Sequence, residues 1–111
     1  MMQHIMCPVC SGHAGGHGFV LGRSRVPIWA CNDPTCISLL PKVYAMSTHQ
    51  LDAYEQKAIE EGGAEAGAYL DSLGRFSLAE LSVEEWGEFC KRMLHGFQDS
   101  MRRQVTRHEA R

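Results

Sequence analysis

Four of the five cysteines in this chain of 111 residues fall into two pairs. Cys7-Pro-Val-Cys10 is followed, after twenty residues, by Cys31-Asn-Asp-Pro-Thr-Cys36. A Cys-x-x-Cys turn lets two thiolates grip one ion at about 2.3 Å while backbone amides point at the sulfurs, and a second pair completes a tetrahedron. The pattern therefore specifies one Zn2+ per chain held by Cys7, Cys10, Cys31 and Cys36, with iron–sulfur ligation as a minor alternative. A redox Cys-x-x-Cys would need a helix directly after Cys10, whereas the sequence continues as Ser11-Gly-His-Ala-Gly-Gly-His-Gly18, a glycine loop.

His4, His13 and His17 stand close to the cysteines in sequence, and any of them has the chemistry to replace a thiolate. Four cysteines already fill the tetrahedron, so the histidines read as solvated loop residues. A filled shell leaves no metal-bound water to activate, and the chain reads as a non-enzyme. Cys90 lies beside Phe89 on an apolar stripe and reads as a small buried hydrophobe, since no base or pocket marks it as a nucleophile. Arg103, Arg107 and Arg111 recur every four residues, with Arg102 beside them. They suit a helix C-terminus, and with Arg23 and Arg25 they are the candidate contacts for a phosphate or an acidic partner. Trp29 and Trp86 read as core anchors.

The elements that must position these groups follow from local chemistry. Phe19-Val-Leu21 and Val26-Pro-Ile-Trp-Ala30 predict two short strands around a Gly-Arg-Ser-Arg turn, with Pro27 tolerable only on an edge. Asp33 as N-cap and Pro34 at the first helical position predict a short helix that carries Cys36 in its first turn and ends or kinks at Pro41. Ser47-Thr-His-Gln50 is a capping box, and apolar or small residues at 51, 54, 58, 62, 66, 69, 70 and 73 predict a helix over 48–73. Gly62-Gly63 is its weak point, at about 1 kcal/mol per glycine, unless a small stripe of Gly63, Ala64, Gly67 and Ala68 packs closely. Gly74 suits the helix end, Ser77-Leu-Ala-Glu80 opens one turn that plants Leu78 and Leu81, and Ser82-Val-Glu-Glu85 opens a long helix over 83–106.

The expected fold is α+β and mostly α: a treble-clef-like zinc module over 1–46, packed on a long helical hairpin with a basic tail over 47–111. Leu51, Tyr54, Tyr69, Leu73, Trp86, Phe89, Met93 and Phe97 should meet between the two long helices. The apolar stripe continues through Met101 and Val105, beyond the cover a small head and two glycines provide. Some of Phe97, Met101 and Val105 should thus stay exposed as a self-association surface, across a two-fold axis along the last helix; the alternative is that the head folds back over the distal stripe and leaves a monomer.

The net charge of −2 conceals a segregation: +2 over residues 1–48, −8 over 49–89 and +4 over 90–111. A uniformly basic coat for nucleic acid is absent from this pattern. No apolar run reaches the roughly 18 residues of a membrane span, and the first residues lack the cationic and apolar regions of a secretory signal. The expected location is cytoplasmic, where thiols stay reduced or metal-bound.

Ala66-Gly-Ala-Tyr-Leu-Asp-Ser-Leu-Gly74, Ser77-Leu-Ala-Glu-Leu81 and Glu84-Glu-Trp-Gly-Glu-Phe89, together with the Cys-x-x-Cys start and an aromatic-Ala-Cys segment, resemble a family of small phage and proteobacterial prophage proteins of unknown function. The resemblance runs from Cys7 to about Arg103 and departs in the second cysteine pair, which is tighter in that family. It implies a phage-type accessory protein with a metal-bound head, a helical body and a life in the bacterial host cytosol, and it supplies no activity. The leading expectation is a recognition module for a host or phage protein, acting on a defence or replication machine. A nucleic-acid-binding zinc protein is the alternative. A small treble-clef metal-dependent nuclease is the third, and it would need a second metal site of histidine and acidic residues.

Overall fold

In the computed structural model residues 6–15, 17–20 and 28–108 are described. His4, Arg23, Arg25, Pro27 and Arg111 lie outside the described residues. The order of elements is β1 (His17–Phe19), β2 (Ile28–Ala30), α1 (Pro34–Tyr44), α2 (Thr48–Leu73), a 3-10 turn (Leu78–Glu80) and α3 (Val83–Arg107). The protein is mostly helical, with one antiparallel strand pair that sets Gly18 opposite Trp29. Trp29 is half-buried against the core of the head, and its ring covers Gly18 so closely that a Cβ there would lie 3.1 Å from it.

Local signals set the helix starts. The Asp33 carboxylate accepts from the Thr35 and Cys36 amides at 2.8 and 3.4 Å, which opens α1 one residue later at Pro34. In the Ser47 box the hydroxyl accepts from the Gln50 amide at 3.2 Å while the Gln50 side chain accepts from the Ser47 amide at 3.0 Å. Ser82 and Glu85 repeat that exchange at 3.1 and 2.9 Å. Gly74 ends α2 with φ 66°, the left-handed conformation glycine adopts without penalty.

Of the end or kink expected at Pro41, the end does not occur: α1 runs on to Tyr44 with Pro41 inside it. An interior proline costs about 3 kcal/mol, but Leu40 before it and Val43 after it are buried, and such burial stabilises by about 1.5–3 kcal/mol per side chain.

Where α2 and α3 cross, they pack backbone to backbone. A Cβ on Gly62 would lie 2.5 Å from the Met93 carbonyl oxygen, and one on Gly96 would lie 2.9 Å from the Gly62 Cα. The glycines therefore do not break α2. The packing stripe is Ala58, Gly62 and Ala66, all buried and all in the expected periodic set, and not the small stripe of Gly63, Ala64, Gly67 and Ala68. The face turned to α3 lies one residue earlier, and Gly63 and Gly67 have no described atom within 4 Å of a Cβ position.

The seam between the helices also differs from the expected one. Phe89 is buried, and Leu51, Tyr54, Tyr69, Leu73 and Phe97 are half-buried, while Trp86 is 48 % and Met93 39 % exposed. Trp86 instead stacks on Phe89, ring centroids 5.6 Å apart. Along the N-terminal half of α3, Trp86, Met93 and Leu94 leave one flank of the helix in solvent. The turn before α3 half-buries Leu81 but leaves Leu78 47 % exposed, because no third layer lies over it.

The head packs against the C-terminal half of α3. Val105 belongs to the same apolar cluster as Cys7, Val9, Leu40 and Val43, and Leu51 and Tyr54 border it from α2. Met101 and Val105 are 1 % and 0 % exposed, so the expected self-association surface is corrected: Val105 is packed into the core of the head, Met101 is buried within the chain and Phe97 is half-buried. Among the described residues no helix is long and apolar enough to cross a membrane.

Candidate metal centre

The four cysteines reach the centre from three pieces of backbone. Cys7 and Cys10 sit on a turn closed by the Ser11 amide donating to the Cys7 carbonyl (2.9 Å) and the Cys7 amide donating to the Gly12 carbonyl (2.7 Å). Ser11 takes φ 63° to make that turn, and a bridge between Met6 and His13 seals its base. Cys31 follows β2 directly, and Cys36 occupies the first turn of α1.

All four side chains are buried, and their sulfurs lie within 4.8 Å of one another, with Cys10 and Cys31 3.8 Å apart. Four sulfurs placed about 2.3 Å from a tetrahedral centre stand about 3.8 Å apart, so the cluster has the dimensions of a four-thiolate metal site. His13 is exposed and outside this group.

The hydrogen bonds fit sulfur anions. The Gly12 amide donates to Cys10 Sγ at 3.4 Å, and Arg102 Nε donates to Cys36 Sγ at 3.1 Å. The Cys10 thiol hydrogen bond, with the amides of Cys10, Cys31 and Val9, holds Cys7 down at about 4 against its burial. The same bond, with burial, pushes Cys10 up. Burial pushes Cys36 up to about 12 against the Arg102 hydrogen bond. Neighbouring sulfurs thus divide protons among themselves, and a bound cation would displace those protons and let all four ionise. Burial disfavours the charge on Arg102, yet its hydrogen bond to Cys36 and the nearby Cys36, Cys10 and Asp33 charges raise its pKa.

Among the sequence-derived contact residues, Arg102 is turned inward. Besides Cys36 it reaches Asp99 at 3.1 Å and Asp33 at 3.7 Å, so it clasps the head to α3. Arg103 is exposed and pairs with Glu61 across the hairpin at 2.7 Å. The two arginines and the exposed Arg107 line a cleft of about 450 Å³ with Thr35, Asp99 and Thr106. Cys90 is exposed, not buried, because no described residue packs over that flank of α3.

The residues that reasoning from sequence missed as part of the centre are Gly12 and Arg102. Arg102 is 66 positions from Cys36, and no local pattern announces that contact. Glu61, Glu65, His95 and Asp99 share a groove of about 450 Å³ on α2 and α3, but Arg92 and Arg103 also line it, and Glu61 and Asp99 already pair with arginines.

Residues 49–110, more than half of the chain, match a family of unknown function (DUF6511). No curated protein and no solved structure matches the chain.

Proposed function

We propose that this chain, which belongs to the family of unknown function just matched, is a zinc-bound, non-enzymatic recognition module that binds a host or phage protein in a bacterial cytosol. The observation that carries this reading is the closed sulfur cluster: four buried thiols within 4.8 Å fill a tetrahedron and leave no position for substrate. The ion is structural in this reading. It holds a head whose apolar side chains are few and small, a size class that needs a metal or disulfides to fold. A sharp turn, an antiparallel strand pair and a last ligand in the first turn of a helix support a treble-clef-like head. The phage-type origin rests on the resemblance carried by residues 66–74, 77–81 and 84–89.

The turn end of the hairpin supports a protein partner. Phe76 and Val83 are each 84 % exposed and Leu78 in the same connection is 47 % exposed, so this end presents apolar side chains to water. The nucleic-acid alternative loses one of its cations, because Arg102 is held by Cys36, Asp33 and Asp99.

Metal analysis of protein purified without chelator should give one zinc per chain, and a metal-free folded protein would reject the site. Capture from bacterial lysate on the zinc-loaded chain should retain a protein that survives nuclease treatment and moderate salt. Loss of all bound material to nuclease, or a steep fall of affinity with salt, would move the reading to nucleic acid.

A further inference from the structure

A solvent-facing groove lies on α2 and α3, away from the sulfur cluster. Ile59 of α2 and Cys90, Met93, Leu94 and Phe97 of α3 line a cavity of about 300 Å³. Ile59 and Leu94 are 57 % and 52 % exposed, and Trp86 and Met93 add 48 % and 39 % on α3. Beside the groove, Gly63 and Gly67 follow Ile59 at four-residue spacing. They have no described atom within 4 Å of a Cβ position, unlike Gly62, which α3 covers. A helix-interior glycine costs about 1 kcal/mol relative to alanine, and packing within the chain gives Gly63 and Gly67 no compensation.

We propose that this face is where a second copy of the chain packs, closing the two hairpins into a four-helix bundle about a two-fold axis that runs along the helices. Charge selects the arrangement. Helix α2 carries six acids and one base, whereas α3 carries four acids and five bases. A two-fold axis along the hairpin lays each α2 over the other copy's α3 and keeps the two acidic helices apart; an axis across the hairpin would stack α2 on α2.

The same axis preserves height along the bundle. Gly62 stands level with Gly96 in the hairpin, so Gly63 and Gly67 stand within about a turn of the levels of Leu94 and Cys90. Those two side chains of one copy then meet bare backbone on the other, and close helix approach takes place there as it does between Gly62 and Gly96. Area agrees as well. At on the order of 150–200 Å² for a fully exposed large apolar side chain, the exposed fractions amount to roughly 400 Å² per copy. Twice that, with a polar rim of ordinary proportion, reaches the roughly 1,200–2,000 Å² of a specific interface.

The test is light scattering on the full zinc-loaded chain from low to high micromolar concentration, with metal content measured on the same samples. The expected result is twice the 12.4 kDa chain mass at the upper end. Gly67→Leu should weaken the dimer at least tenfold while leaving the dilute chain at least as resistant to heat, because the new side chain enters open space in the monomer and favours helix. Leu94→Glu should do the same to the dimer with metal content unchanged. A wild-type monomer at high micromolar concentration overturns the proposal and leaves the groove to a foreign helix. A dimer indifferent to both substitutions overturns it too, by placing the contact elsewhere.

Discussion

The head and the hairpin answer the same problem, ordering a short chain in water, by different means. The hairpin is held by regular helix chemistry: two capping boxes, a left-handed glycine stop and a backbone crossing at Gly62 and Gly96. The head has an 11-residue helix, two three-residue strands and a core in which four thiols replace the large side chains a larger domain would bury. The difference teaches that burial here serves two chemistries. In the hairpin it removes apolar surface from water; in the head it also brings together four thiols that could hold a metal ion.

The largest expected effect comes from removing a sulfur. Structural zinc sites contribute on the order of 10–16 kcal/mol of apparent binding energy, more than the entire stability of most small domains. Cys36→Ser should therefore abolish metal binding and unfold the head, while α2 and α3 keep most of their helix. Amide exchange reads both at once: amides of the Cys7 turn and α1 should lose protection and those around Gly62 and Gly96 should keep it. Equal loss in both regions would show that the hairpin depends on the head. Cys90→Ala should leave the metal content unchanged.

The comparison also explains what was legible in the sequence. The ends of α2 and α3 could be read because Ser47, Gly74 and Ser82 act on neighbours within a few residues, and the clustering of the four cysteines because the spacing of the first pair reports a turn. Three features were not legible, each for a physical reason. Pro41 signals a stop, and the buried Leu40 and Val43 override it through contacts distant in sequence. Periodicity put 58, 62 and 66 on one face of α2, but the small stripe of Gly63, Ala64, Gly67 and Ala68 suits a slightly rotated helix, and only the partner helix chooses between the two. Met101 and Val105 looked uncovered because an apolar stripe does not say what will lie upon it.

Arg102 joins the two regions, and its removal should sharpen the contrast between them. A hydrogen bond to a charged group contributes about 1.5–3 kcal/mol, and Arg102 holds Cys36, Asp33 and Asp99 together. Arg102→Met should cost roughly that much, and calorimetry should show the head melting before the hairpin, with one metal ion still bound per chain. Arg102→Lys should restore only part of the loss, since an ammonium cannot reproduce the guanidinium fork. Loss of the metal in either variant would make Arg102 part of the site's binding strength, not of its docking.

A smaller effect belongs to Trp86 within the hairpin. Full burial would make Trp86→Ala cost about 3–5 kcal/mol, but the side chain is 48 % exposed and its main contact is the stack on Phe89. About 1–2 kcal/mol is expected for the dilute chain, measured by urea unfolding. A larger loss would mean that this flank is covered even in the monomer.

The smallest effect concerns acid, and its size separates the regions. Glu85 accepts a hydrogen bond from the Ser82 amide and pairs with Arg75, and the Ser82 amide first, with Arg75 adding, holds its carboxyl below the usual range. A carboxyl depressed in the folded state stabilises above its unfolded value of about 4.3, and that contribution disappears as pH falls through the folded value. Glu85→Gln keeps an acceptor for the Ser82 amide but has no charge to titrate. The stability difference between wild type and Glu85→Gln should be positive at pH 7 and close to zero well below pH 4. Acid also protonates the thiolates and releases the metal, but that loss is common to both proteins and cancels in the difference. What remains is the hairpin's own acid response, small beside the collapse of the head over the same range. A difference that persists undiminished at low pH would assign the capping strength of Glu85 to shape and not to charge.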